Sequence, residues 1–151
     1  MRKHHNGREE SDLDFGMRYI WDKIAVTMAS ERKTFTLGVV GLKTDKTVNH
    51  LSEDEEHGDG YNNITIQQEV GQMLLPDLKK LQHNIKPSNT DAGDALSAII
   101  VAIDLIEKMT KKLKYQRKIF LMTNGYGQID GDGVSDIAEK LNQDNIELVI
   151  M

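Results

Sequence analysis

The stretch Arg117-Lys118-Ile119-Phe120-Leu121-Met122-Thr123-Asn124-Gly125-Tyr126-Gly127 decides how the chain is read. Two cations open it, four apolar residues follow, and a Thr-Asn-Gly turn closes it. A short unbroken apolar run bounded by a turn signal is the pattern of a strand buried on both faces. Such strands belong to parallel sheets covered by helices above and below. Helical patterns precede and follow this one. Residues 117–123 are therefore expected as a central strand of an α/β fold. The polar, glycine-rich loop at its C-terminal end lies where open α/β sheets hold ligands.

The surrounding elements follow from spacing. Upstream, Thr90 or Asp91 is expected to cap a long helix carrying Ala92, Ala95, Leu96, Ile99, Ile103 and Ile106. Val101 and Leu105 make its middle apolar nearly all round, so it packs on more than one side. Pro76 starts a shorter helix with Leu78, Leu81 and Ile85 on one side, and Lys86-Pro87-Ser88-Asn89 ends it. Earlier still, Leu13, Met17, Ile20, Ile24 and Met28 recur every three or four residues, as one buried helical face does. Ser11 or Asp12 serves as its N-cap, and cations between Ser30 and Lys33 suit the negative end of its dipole. Thr34 to Leu42 is a β-rich first strand, with Gly38 and Gly41 marking close approach of a neighbouring backbone. Asn63 to Gln68 alternates as a short, half-exposed edge strand. Beyond the central strand, Val134, Ile137, Ala138 and Leu141 mark a helix, and residues 146–151 a last strand.

At 151 residues, with 38% apolar residues, the chain is of single-domain size. Its net charge of −5 argues against whole-surface attraction to nucleic acid, though not against a local basic patch. Without cysteine there is no disulfide framework, thiolate nucleophile or cysteine zinc site, and a reducing compartment is the plain reading. No apolar run approaches the about 20 residues needed to span a bilayer, and no signal peptide is recognisable.

Candidate chemistry is sparse. His4 and His5 lack a third ligand in the polar segment 1–11, which reads as a solvated terminus. Glu53-Asp54-Glu55-Glu56 reads as a solvated loop. Gln128, Asp130, Asp132, Gly133, Asp136 and Glu139 fall on calcium-loop spacing. Gln128 occupies the first-ligand position, Ser135 the position of a hydrophobe, and a strand precedes the loop, so turn formation and helix capping fit better. There is no Gly-x-x-x-x-Gly-Lys-Ser/Thr, no nucleophile elbow and no facing carboxylate pair, hence no catalytic set and no cofactor. The cations Lys108, Lys111, Lys112, Lys114, Arg117 and Lys118 serve dipole complementation and solubility at least as well as a weak DNA-phosphate patch.

A strand ending Thr123-Asn124-Gly125, after a helix opening Asn89-Thr90-Asp91-Ala92-Gly93-Asp94-Ala95-Leu96, resembles a von Willebrand factor A domain. More narrowly, four stretches resemble the N-terminal A domain of the larger (eighty-kilodalton) Ku subunit, particularly in fungi. They are His5-Asn6-Gly7-Arg8, the run from Asp12 to Ile24, the run from Val39 to Asp45, and Ile85-Lys86-Pro87-Ser88.

The resemblance implies a three-layer, Rossmann-like α/β sandwich over residues 1–151, with a mostly parallel sheet and an antiparallel edge strand. The strand that would precede the first helix, at the centre of the sheet, is expected to be missing, and with it the Asp-x-Ser-x-Ser cation ligands. Thr90 matches the threonine of the family's cation site, whereas Asn124 stands where a metal-binding member has aspartate, so the site is expected to be degenerate. The resemblance further implies a nuclear heterodimer with the smaller Ku subunit, bound to double-strand break ends and to telomeres for non-homologous end joining and chromosome-end maintenance. DNA ends would be held by parts of the longer protein outside this chain. This domain would dock repair and telomere proteins, with no enzymatic or membrane role, although an ATP-dependent helicase is sometimes named in the family. Two other readings stay open: an A-domain scaffold of a transcription–repair complex or of a proteasome ubiquitin receptor, and a cation-dependent adhesion module.

Overall fold

The computed structural model describes residues 9–53, 60–127, 129 and 131–151. His4, His5 and the rest of segment 1–8 lie outside the described residues, as do Asp54, Glu55, Glu56, Gln128 and Asp130. The elements in order are α1 (Asp12–Ala29), β1 (Leu37–Leu42), β2 (Ile64–Gly71), α2 (Leu75–Asn84), α3 (Ala95–Thr110), β3 (Arg117–Leu121), α4 (Val134–Gln143) and β4 (Ile146–Ile150). This is the α/β alternation expected. No described helix is long and apolar enough to cross a membrane.

Helix α1 begins where its cap signal lies: Ser11 Oγ accepts from the Asp14 amide at 3.1 Å. It buries Met17 and Ile24. The cations expected in its last turn fall beyond Ala29, and Arg32 instead stands over the Phe35 ring at 5.6 Å. Helix α3 starts later than the spacing implied. Asp94, not Thr90 or Asp91, is the cap, its Oδ2 accepting from the Ser97 amide at 2.8 Å. Gly93, at φ 125°, holds a left-handed backbone that no helix continues through. Ala92 is consequently outside the helix. At α4 the N-cap is Gly133, at φ 90° and with no side-chain cap bond.

The strands form two ladders. β1 pairs antiparallel with β2, and β3 pairs parallel with β4 from Arg117↔Ile146 to Leu121↔Ile150. Gly38 admits the close approach of β2, since a Cβ there would meet Val70 Cγ2 at 2.7 Å. β1 is shorter than expected, starting at Leu37. β2 is longer, running eight residues to Gly71, with Ile64 fully buried. No described strand joins the two ladders, so β1 and β3 each keep one unpaired edge.

Helices bridge what the hydrogen bonds do not. On one face, Ala98 and Val101 of α3 pack with Val40 and Leu42 of β1 and Ile64 of β2. One turn around, Ile99 and Ile103 pack with Ile119, Ile146 and Leu141. The all-round apolar character of α3 is thus used twice, once on each ladder. On the other face, Ile20, Trp21 and Ile24 of α1 meet Leu37 and Val39 of β1 and Leu81 of α2. α1 reaches β3 through Tyr19, whose ring centroid lies 5.9 Å from that of Phe120. β3 is therefore not buried on both faces as its sequence implied: Ile119 is buried, while Phe120 remains 37% exposed. From the middle of α1, Lys23 also stands over that ring, its ammonium 5.3 Å from the centroid.

Candidate functional site

The C-terminal ends of β1 and β3 lie at the same end of the molecule. Lys43, immediately after β1, donates from Nζ to the Tyr126 carbonyl oxygen at 2.7 Å. The Lys86–Asp94 loop joins them. Ser88 Oγ donates to the Lys43 carbonyl at 2.5 Å, and the Asn89 amide donates to Asp45 Oδ1 at 2.9 Å. Gly93 closes the seam, since a Cβ there would stand 3.2 Å from the Lys43 nitrogen. Asn124 links the same end to α1: its Nδ2 donates to Asp12 Oδ2 at 3.2 Å. Three loops and the start of α1 thus converge where the fold predicts a site.

What they present is a set of groups already engaged with one another. Thr90 Oγ1 accepts from the Ala92 amide at 3.0 Å. Asn124 Oδ1 accepts from the Tyr126 amide at 3.2 Å, closing an Asx turn. A divalent cation asks for several oxygens, ordinarily with carboxylates among them. The two positions that match the family's cation site supply a hydroxyl and an amide whose oxygens both accept backbone hydrogens, and Asn124 turns its donor nitrogen toward the neighbouring carboxylate. Among the described residues no group of three or more His, Asp or Glu is arranged to hold a metal. The residues present do not fit the cation that the fold implies. Of the calcium-loop set, Asp136 and Glu139 lie on α4, where Glu139 Oε1 accepts from Gln143 Nε2 one turn on.

The loop between β1 and β2 is held by a residue that spacing did not single out. Asn49 is buried, donating from Nδ2 to the carbonyls of Tyr61 at 3.1 Å and Ile64 at 2.9 Å, and accepting from the Ser52 amide at 2.8 Å. Neither Asn49 nor the bridge from Lys43 carries a local signal, because each partner lies far along the chain or in its backbone.

The basic residues separate into two groups. Lys108 pairs with Asp104 at 2.8 Å and approaches His50 Nδ1 at 3.0 Å. Lys118 pairs with Glu147 at 2.8 Å. Arg117 spends its guanidinium on backbone, donating to the carbonyls of Asp144 (3.0 Å), Leu113 (3.3 Å) and Lys111 (3.4 Å). Lys111, Lys112 and Lys114 remain exposed on the turn between α3 and β3. That turn is at the opposite end of the strands from Asn124, so the structure does not bring the cations to the loop site.

Comparison with known proteins gives one consistent answer. Residues 1–147 match the family model described as the Ku70/Ku80 N-terminal alpha/beta domain. The chain is 52% identical over 147 residues, or 97% of its length, to a protein of Chaetomium globosum named ATP-dependent DNA helicase II subunit 2. Proteins of the same name from Coccidioides immitis and Schizosaccharomyces pombe are 50% identical over 151 residues and 37% identical over 144 residues, respectively. The chain spans 20% of the length of each of these relatives.

Proposed function

The chain belongs to the Ku70/Ku80 N-terminal alpha/beta domain family, and from that premise we propose that it is the protein-docking domain of a Ku large subunit. The observation that carries the reading is similarity over essentially the whole chain to relatives five-fold longer. The complete protein would pair with the smaller Ku subunit in the nucleus, bind the ends of broken duplex DNA, and act in end joining and at telomeres. The relatives' name includes a DNA helicase; no residue described above gives this domain a part in ATP chemistry.

Within that protein, we assign the domain to contacts with other proteins and not to the grip on DNA. Its net charge is −5, and several of its clustered cations are taken up by carboxylates or carbonyls. Steady duplex binding draws on many phosphate contacts. Co-expression of the full-length protein with the smaller Ku subunit, followed by capture on DNA with free or blocked ends, tests this. Free ends are expected to retain the heterodimer, and the 151-residue chain alone is expected to bind only weakly and in a salt-sensitive manner. Tight, end-dependent binding by the isolated chain at physiological salt would show that the DNA contact lies here.

A further inference from the structure

Helix α3 does not end in an ordinary cap. Lys111 sits at φ 48°, ψ −120°, and the Leu113 amide donates back to the Thr110 carbonyl at 2.8 Å. That is a tight turn whose first central position normally requires glycine. A side-chain-bearing residue held there is costly and persists only when the surroundings enforce it. They do so here. Thr110 is buried, the Lys111 amide donates to the Glu107 carbonyl at 2.8 Å, and Arg117 reaches up to the carbonyls of Lys111 and Leu113. Arg117 thus braces the turn from within instead of offering its charge to a ligand.

The braced turn projects Leu113, 61% exposed, from a run in which Lys111, Lys112 and Lys114 surround it. None of these three lysines pairs with a carboxylate among the described residues. We infer that this turn is a docking point for an acidic peptide segment carrying a bulky apolar residue among its carboxylates. The inference rests on reading the domain as a protein-docking module. Charge complementarity selects an anion on a molecule that is otherwise net negative. Leu113 selects between anions. A DNA backbone offers an apolar side chain nothing, whereas a peptide buries it at the centre of a charged rim, the usual arrangement of a protein contact.

The test uses gel-filtered monomer of a chain extended upstream by an apolar strand, its fold checked by a sharp thermal transition, and short fluorescein-labelled peptides of Asp and Glu with one central Phe, or with Ser in its place. Anisotropy is expected to show saturable binding of the Phe peptide and about tenfold weaker binding of the Ser peptide. The Leu113→Ser chain should lose a similar factor for the Phe peptide. The combined Lys111→Gln, Lys112→Gln and Lys114→Gln chain should lose both binding and its salt dependence. Equal affinity for the two peptides overturns the inference, as does binding of neither. Duplex DNA bound more tightly than either peptide, with no response to Leu113→Ser, assigns the turn to phosphate instead. Assembly of the full-length protein with the smaller Ku subunit is measured separately, so failure here leaves the domain assignment standing.

Discussion

Lys43 and Tyr126 lie 83 residues apart, yet the Lys43 ammonium donates a 2.7 Å hydrogen bond to the Tyr126 carbonyl. The bond places the ends of β1 and β3 side by side and pointing the same way, although no backbone ladder joins them. Helix α3 packs against both strands from one face, and α1 touches both from the other. The result is two unpaired strand edges between two helical layers.

Those edges set the first expectation. Each buried backbone group left unmatched costs about 1–3 kcal/mol, against whole-domain stabilities of roughly 5–15 kcal/mol. Apolar edges also invite pairing between chains. The 151-residue chain is therefore expected to self-associate and to melt over a broad range, and a version extended upstream by an apolar strand to melt sharply and higher. Gel filtration and calorimetric melting check this. A monomer melting as cooperatively and as high as the extended form would refute it.

Magnesium or manganese titrated into the chain should give no saturable heat. Thr90 and Asn124 supply only neutral oxygens, each already accepting a backbone hydrogen. Micromolar binding abolished by Asn124→Ala would mean that the loop opens to admit the ion.

Leu81 of α2 is fully buried against Ile24 and Met73. Leu81→Ala should cost about 2–5 kcal/mol through lost transfer energy and an unfilled cavity. Leu113→Ala, at an exposed turn, should change stability by less than about 0.5 kcal/mol. Urea unfolding of both variants in the upstream-extended chain separates the two cases, and equal effects would contradict the packing described.

Lys140 bridges Glu107 of α3 and Asp144 beyond α4, the latter at 3.0 Å. Its hydrogen bond to Glu107, and next that to Asp144, raise the Lys140 pKa. Its hydrogen bond to Asp144 is the main cause of that carboxyl's lowered pKa. The Asp144 contribution is present above the ordinary carboxyl range and is lost as pH falls through the lowered value. The Lys140 contribution is present below the ordinary ammonium range and is lost as pH rises through the raised value. Lys140→Met should cost about 0.5–1 kcal/mol at neutral pH, the range for a partly exposed network. It should also flatten the acid limb of stability against pH. An acid limb unchanged by the substitution would show that Asp144 is stabilised by something else.

What the amino-acid order determined by itself is the local part of this protein. The period of Leu13 to Met28, the Ser11 cap, Pro76 at the opening of α2, and the apolar runs of β3 and β4 each depend on neighbours within a few residues, and each formed where its signal stood. The family was also readable from such short runs, and the match over residues 1–147 supports it. Tertiary structure decided the rest. An unbroken apolar run does not say how many faces will be covered, and Phe120 stays partly exposed although Tyr19 and Lys23 of α1 stand against its ring. The start of α3 moved to Asp94 because Gly93 had to turn against Lys43, a contact made across 50 residues of chain. The Lys108–Lys118 run became paired side chains, a brace and an exposed turn, according to which carboxylates and carbonyls folding brought within reach. Periodicity and capping are short-range physics, whereas strand pairing, face coverage and charge neutralisation depend on residues that only the fold makes neighbours.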